Sequence, residues 1–185
     1  RNVAANNQLT DASSTRTQLQ FLSQGNIGGF RAPELGVSPG LWAVEKEFGM
    51  RYDASQTRKM TAFPTKKPQG IWSISLARIP FATTTQAILS MDYNFYFKQS
   101  AAKDVAKKGS PEWQAYYDEM LQSYRAYFRA NYDGPRAPVV IGHHFSLWND
   151  GVYWEVLKQF ASEVCGQPDV KCVTFSEYTD YLEKN

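Results

Sequence analysis

Histidine and cysteine are the scarcest chemistry in this chain, two of each in 185 residues. Long apolar runs are missing too. None approaches the ~18 residues that argue for a membrane-spanning helix, and no stretch has the order of a signal peptide. There is no Lys/Arg block, and 20 basic residues against 18 acidic leave a net charge of only +2. That removes any electrostatic case for nucleic acid. Internal repeats and low-complexity segments are also absent, which sets aside repeat architectures and disordered tracts. The chain opens on Arg1 rather than Met, so a removed signal and missing upstream sequence are both allowed.

What is present suits one domain, or a large piece of one. Hydrophobic residues make up 43% and aromatics 15%, enough to bury a core and still show rings at the surface. The two cysteines, Cys165 and Cys172, flank a segment with Gly166 and Pro168. That segment can fold back and close a disulfide, which would mark an exported protein. Two buried free thiols are the alternative.

Residues 1–11 read as a polar loop. Thr10 or Asp11 caps a short helix with Leu19 and Leu22, ended by Gly25. A strand is expected over 26–30. Ser38-Pro39-Gly40 opens a helix in which Leu41, Trp42, Val44, Glu45 and Phe48 share one largely apolar face, with Gly49 as its stop. Residues 50–52 form a strand candidate and 54–70 a surface loop. Ile71 to Leu76 alternates with period two, as a strand does. Between Ala77 and Lys108 the pattern is mixed: 91–97 is rich in aromatics, and 101–108 is a short helix or a solvated loop.

Ser110-Pro111-Glu112 then opens a long helix. Its Trp113, Tyr116, Tyr117, Met120, Leu121, Tyr124, Tyr127 and Phe128 repeat at three and four, so this stripe reads as a core face, with an aromatic sugar platform as the alternative. Gly134 and Pro135 end it before a short buried strand, Val139 to Ile141. A helix over 151–164, a strand over 170–175 and a final helix with a capping box at Thr174 to Glu177 complete the chain. Alternating strands and helices argue for an α/β fold with a mostly parallel sheet or barrel.

Three clusters could do chemistry. His143 and His144 follow the buried strand, at the carboxyl end where sites in α/β sheets and barrels gather. Arg31 sits between a strand and a proline turn in Gly29-Phe30-Arg31-Ala32-Pro33-Glu34, held stiffly enough to orient a carboxylate. Asp92, in Ser90-Met91-Asp92-Tyr93-Asn94, could fix a histidine's tautomer. Against these stand plain structural roles: a satisfied core histidine, a buried ion pair and an ordinary loop aspartate.

The stretch GFRAPELGVSPGLWAVEKEFGMRYDAS resembles the third motif region of polysaccharide deacetylases, the NodB-homology or carbohydrate esterase family 4 group. APVVIGHH, YWEVLKQFASEV and PDVKCVTFSEYTDYL resemble that family's last third. The loops at Gly70-Ile71-Trp72 and Met91 to Asn94 are nearest the chitin-deacetylase branch. The strongest pieces are Gly29 to Ser55 and Pro138 to Leu182.

The resemblance implies a distorted (β/α)7-type barrel and one divalent metal, usually zinc, that activates water against the acetyl carbon of an N-acetylated sugar. An aspartate would take the water's proton and a histidine would protonate the departing amine. Carried over, the acid is His143, or His144 if the strand runs one residue longer; side chains alternate, so only one can point into the site. His143 is the preferred assignment. Arg31 would orient the base, Asp92 would partner the histidine, and the backbone N–H near Glu34 would face the oxyanion. His144, Glu34, Trp72, Tyr93 and Trp148 would contact substrate.

This chain also departs from the family. Its Thr-Phe-Asp-Asp-Gly and His-x-x-x-His motifs, which supply the base and the protein metal ligands, do not occur here. Glu34 replaces an aromatic, and Tyr93 stands where a tryptophan is usual. The chain is therefore expected to be the C-terminal portion of a secreted, periplasmic or cell-surface deacetylase, with no metal ligands of its own. It should be inactive until an N-terminal portion, as part of the same or a separate chain, supplies base and zinc. Its partner would be an N-acetylglucosamine-containing polysaccharide. Two alternatives remain: a non-catalytic carbohydrate-binding module stacking sugars on Trp72, Tyr93 and Trp148, and a self-contained α/β domain with buried histidines.

Overall fold

A computed structural model describes residues 27–84, 86–144 and 146–185. The expected N-terminal loop, the helix carrying Leu19 and Leu22, and Asn26 lie outside the described residues. The described residues divide into two compact units, one of 27–56, 63–75 and 173–185, the other drawn from 57–62 and 76–172.

In the first unit, β1 (Gly29–Phe30) runs parallel to β2 (Tyr52–Asp53), and β2 runs parallel to a strand over Trp72–Ser73. A further strand, Thr65–Lys66, closes that edge antiparallel. Gly29 is required where it stands, because a Cβ there would fall 2.1 Å from the Tyr52 ring. Helix α1 (Leu41–Glu47) buries Val44 against Met50, with Ile27, Phe30 and Phe48 around them. The Ser38 cap is not realised. Only the Ser38 carbonyl takes part, accepting from the Leu41 N–H; its hydroxyl is buried without a partner, and the helix starts after a turn at Pro39-Gly40.

The second unit holds a three-stranded sheet. Its strands are β3 (Thr57–Lys59), β6 (Leu76–Pro80) and β7 (Ala87–Leu89), with β4 and β5 being the first unit's Thr65–Lys66 and Trp72–Ser73. β3 is parallel to β6, and β7 antiparallel. So the 54–70 stretch is not a plain loop: two- and three-residue strands need no hydrophobic period when a stronger neighbour sets their register. Conversely, Ile71 to Leu76 is not one strand, since the ladder stops at Ser73 and resumes at Leu76.

Helices α2 (Asp92–Ser100), α3 (Pro111–Tyr132) and α4 (Trp148–Val164) complete this unit. Ser110 caps α3, its hydroxyl accepting from Trp113 N–H at 3.2 Å. The predicted stripe faces inward: Trp113, Met120, Leu121, Tyr124 and Tyr127 are buried, in one core with Ile79, Phe95, Val152, Val156 and Phe160. Asn149, Asp150 and Gly151 have φ of 48°, 56° and 75°, so regular helix begins only at Val152.

Val139 to Ile141 forms no ladder. A single parallel bridge, Met91 to Gly142, is found instead. Side chains have taken the place of a neighbouring strand: Val140 N–H donates to the Tyr127 hydroxyl at 2.9 Å, and Val140 carbonyl accepts from Ser90 Oγ at 2.7 Å. With both groups satisfied, burial costs nothing in unpaired polarity. The expected strand over 170–175 is also absent. Phe175 starts α5 (Phe175–Lys184), held by the reciprocal bonds between Thr174 and Glu177. Cys165 and Cys172 are joined, with Cα atoms 5.4 Å apart. The α/β class holds, but the described strands make sheets of four and three and no closed barrel.

Candidate functional site

Asp92 is the first residue of α2 and almost wholly buried, its side chain 2% exposed. The Met91–Gly142 bridge lays the start of that helix beside the histidine pair: Asp92 N–H donates to Gly142 carbonyl, and Gly142 N–H to Ser90 carbonyl. The carboxylate then collects donors. Oδ1 accepts from Tyr93 N–H and from His144 Nδ1, each at 2.7 Å, and Oδ2 accepts from His144 N–H at 2.7 Å. Three donors and the N-terminal end of a helix offset the cost of burying this carboxylate.

The two histidines differ in surroundings. The His144 side chain is 49% exposed, and with Nδ1 on Asp92 its Nε2 is left to face outward chemistry. The His143 side chain is 8% exposed, with Nε2 3.1 Å from the Tyr124 hydroxyl and Nδ1 3.8 Å from Asp92 Oδ2. That last distance suits no hydrogen bond. Nor is it an ion pair, because burial, with His144 adding to it, lowers the pKa of His143 against the pull of Asp92. Burial, with Asp92 nearby, raises the Tyr124 phenol well above the ordinary tyrosine value. His143 and Tyr124 are therefore a neutral pair behind the carboxylate.

Aromatic rings flank His144. Trp148 lies 5.4 Å from its ring centroid and Tyr93 6.0 Å, with Tyr93 and Trp148 edge to face at 5.6 Å. Trp148 stacks on Tyr96 at 4.7 Å and 4°. Asn149 pins the segment: its carbonyl oxygen accepts from Val105 and Ala106 N–H, and its amide donates to Ser100 Oγ and the Tyr153 hydroxyl. The site thus pairs a carboxylate-backed, solvent-facing imidazole with an apolar, ring-lined wall. That arrangement can deliver a proton to a bound group and stack a sugar face.

The remaining sequence candidates belong to the first unit. Arg31 donates from Nε to Ala54 carbonyl at 3.2 Å and lies over the Phe175 ring, while its Nη2 is buried without a partner. Burial lowers its pKa, opposed by Asp53 and Tyr52. Asp53, wholly buried, accepts from Ser55 N–H and Oγ and from Trp42 Nε1. Glu45 beside it is pushed up to about 10 by burial and then by Asp53, so it is a neutral acid. Glu34 is exposed, in a short turn with φ of 55°. Trp72 is half-buried, with Lys66 over its ring.

Asp92, His143, His144, Tyr93 and Trp148 are thus brought together, and Arg31, Glu34 and Trp72 belong to the other unit. Tyr124, Tyr96 and Asn149 were missed as site residues. Tyr124 carried a signal: a hydroxyl on an apolar stripe needs a buried partner. Among the described residues, no group of three His, Cys, Asp or Glu could hold a metal ion.

No family model matches the chain, and no curated protein matches it. Its structure is similar to a solved structure described as a "putative polysaccharide deacetylase" from Mycobacterium smegmatis, with a TM-score of 0.63 over 94% of this chain at 18% identity. The chain spans 58% of that solved chain. At this identity the likeness is one of fold: the chain has an α/β fold shared with that deacetylase-like structure.

Proposed function

We propose that this chain carries the proton-donating part of a carbohydrate deacetylase, which hydrolyses N-acetyl groups of a chitin-like or peptidoglycan-like polymer outside the cytoplasm. The observation that carries this reading is the Asp92–His144 pair, a buried carboxylate holding Nδ1 of a half-exposed imidazole beside Tyr93 and Trp148. The fold shared with the mycobacterial structure supports it, and the Cys165–Cys172 disulfide supports an oxidising compartment. In this reading the complete domain is the distorted (β/α)7 barrel.

The acid is His144 rather than His143. As the amide C–N bond breaks, the Nε2 proton of His144 passes to the departing nitrogen, and Asp92 holds the imidazole's tautomer and stabilises its charged form. His143 cannot do this, because Tyr124 occupies its Nε2. Tyr93 and Trp148 offer faces to the sugar. The described residues do not fit a metal site, so no step here runs through one; the cation and the base implied by the resemblance belong to residues other than these. The unpaired, buried Nη2 of Arg31 suits a carboxylate that is not among the described residues.

The test is acetate release from chitin oligomers and from peptidoglycan by the full protein that carries this chain. His144→Ala and Asp92→Asn should each lose about 10²–10⁴-fold in rate. An unchanged rate in His144→Ala refutes the assignment. Oligosaccharide binding with no acetate released would replace the enzyme by a carbohydrate-binding module.

A further inference from the structure

We infer that His143 and Tyr124 form a buried brace behind Asp92, with His143 a positioning residue that presents an Nδ1–H to the carboxylate holding His144. The inference deepens the reading of His144 as proton donor and rests on it for its purpose, though not for its geometry.

The argument starts from the Tyr124 hydroxyl. Tyr124 is fully buried, and its hydroxyl is hydrogen-bonded to His143 Nε2 at 3.1 Å. Two arrangements are possible. Either the phenol donates to Nε2 and the imidazole proton sits on Nδ1, or Nε2–H donates to the phenol oxygen and Nδ1 is bare. In the second, the phenol proton would need a further acceptor, and a nitrogen lone pair would face the Asp92 carboxylate at 3.8 Å. In the first, the phenol proton is used and a positive N–H edge faces the same oxygen. The first arrangement wins on both counts. The groups around the His143 ring agree with it: Tyr124 on one side, Asp92 and His144 on the other, and the Trp154 ring 6.3 Å away. None of these gives Nδ1 a hydrogen bond at its present distance.

What this does for Asp92 follows from its contacts. Tyr93 N–H and the two donors of His144 hold the carboxylate from one side. His143 Nδ1–H lies beyond Oδ2, where a slide of about 1 Å would bring it within hydrogen-bond reach. A carboxylate flanked in this way keeps its plane while His144 gains and loses a proton. A tyrosine in place of phenylalanine on the α3 stripe thus serves the site two contacts away.

Nuclear magnetic resonance with ¹⁵N-labelled histidine in this 185-residue chain tests the brace, since the chain holds two imidazoles. His144→Gln assigns the spectrum by removing one of them. Neutral His143 should show the Nδ1–H tautomer. Tyr124→Phe, which removes one oxygen and keeps the ring, should leave the His143 proton on Nδ1 facing Asp92, shift the resonance of the Nε2 that has lost its donor, and speed solvent exchange of the His144 Nδ1 proton about tenfold. His143→Asn, whose amide nitrogen falls near the position of Nδ1, should keep that exchange slow, and His143→Leu should not. An Nε2–H tautomer in the unaltered chain overturns the inference, as does a Tyr124→Phe spectrum identical to it. None of these measurements needs turnover. A brace seen in a protein that releases no acetate would therefore end the deacetylase reading alone, and an active enzyme with the wrong tautomer would end the brace alone.

Discussion

Glu45 gives the sharpest handle on the first unit. It lies on the apolar face of α1, wholly buried, beside the Asp53 side chain, which is placed to accept its carboxyl proton. Its acid is pushed from 4.5 up to about 10, burial being the larger cause and Asp53 the next. The fold therefore binds a proton that the unfolded chain releases above about pH 4.5. The stability tied to that proton is complete below pH 4.5, falls as pH rises, and is gone above about pH 10. Each pH unit in between costs about 1.4 kcal/mol. At pH 7 the accumulated loss is about 3 kcal/mol, a large share of the 5–15 kcal/mol typical of a domain. Glu45→Gln is neutral in both states and nearly the same shape, so it should escape this loss. Urea unfolding at pH 5, 6, 7 and 8, followed by tryptophan fluorescence, reads it directly, Trp42 Nε1 being 3.5 Å from Asp53. The variant should be more stable than the unaltered chain at pH 7, with the gap widening toward pH 8 and narrowing toward pH 5. Parallel stability curves for the two proteins across that range would show that Glu45 is charged in the fold, and the reasoning would fail.

Two further outcomes are expected. Reducing the Cys165–Cys172 disulfide, which closes a loop with a sequence separation of 7, should lower stability by about 2–3 kcal/mol in the same assay; no change on reduction would place the constraint elsewhere. Asn149→Ala should cost about 2–4 kcal/mol, because it leaves Val105 and Ala106 N–H unsatisfied and puts alanine at φ of 48°, and a thermal melt within 1–2 °C of the original would contradict this.

How much of this was legible in the residues depends on what each element leans on. Helix α3 was readable because its start signal and its stripe are local: Ser110 caps where expected and the stripe is buried. The same holds for the Thr174 capping box. Ser38 shows the limit of local rules, since a serine before Pro-Gly met a turn and kept its hydroxyl inside without a partner. Short strands such as Thr57–Lys59 were not readable at all, because their existence depends on Leu76–Pro80 lying alongside. Val139 to Ile141 failed for the opposite reason. The run is apolar and buried in part, as a strand should be, but Tyr127 and Ser90 satisfy Val140 in place of a neighbour, and nothing at 139–141 records which residues, 13 and 50 positions away, will do so.

The histidine pair shows the same dependence at the level of chemistry. Adjacent imidazoles after an apolar run mark a place, and alternation means that one turns in and the other out. Which one turns in depends on register, and register here is set by the lone bridge from Met91 to Gly142 rather than by a ladder. That bridge brings Asp92 beside both rings at once. The ring that turns inward needs a partner for its far nitrogen, and only a tyrosine at the right turn of α3 supplies it, so Tyr124 is the residue that makes His143 the inner one. The outer ring then inherits the carboxylate and the aromatic wall. Phenylalanine at 124 would leave that inner nitrogen without a partner. The identity of the candidate acid is thus decided on a helix that contributes no group to the exposed face of the site.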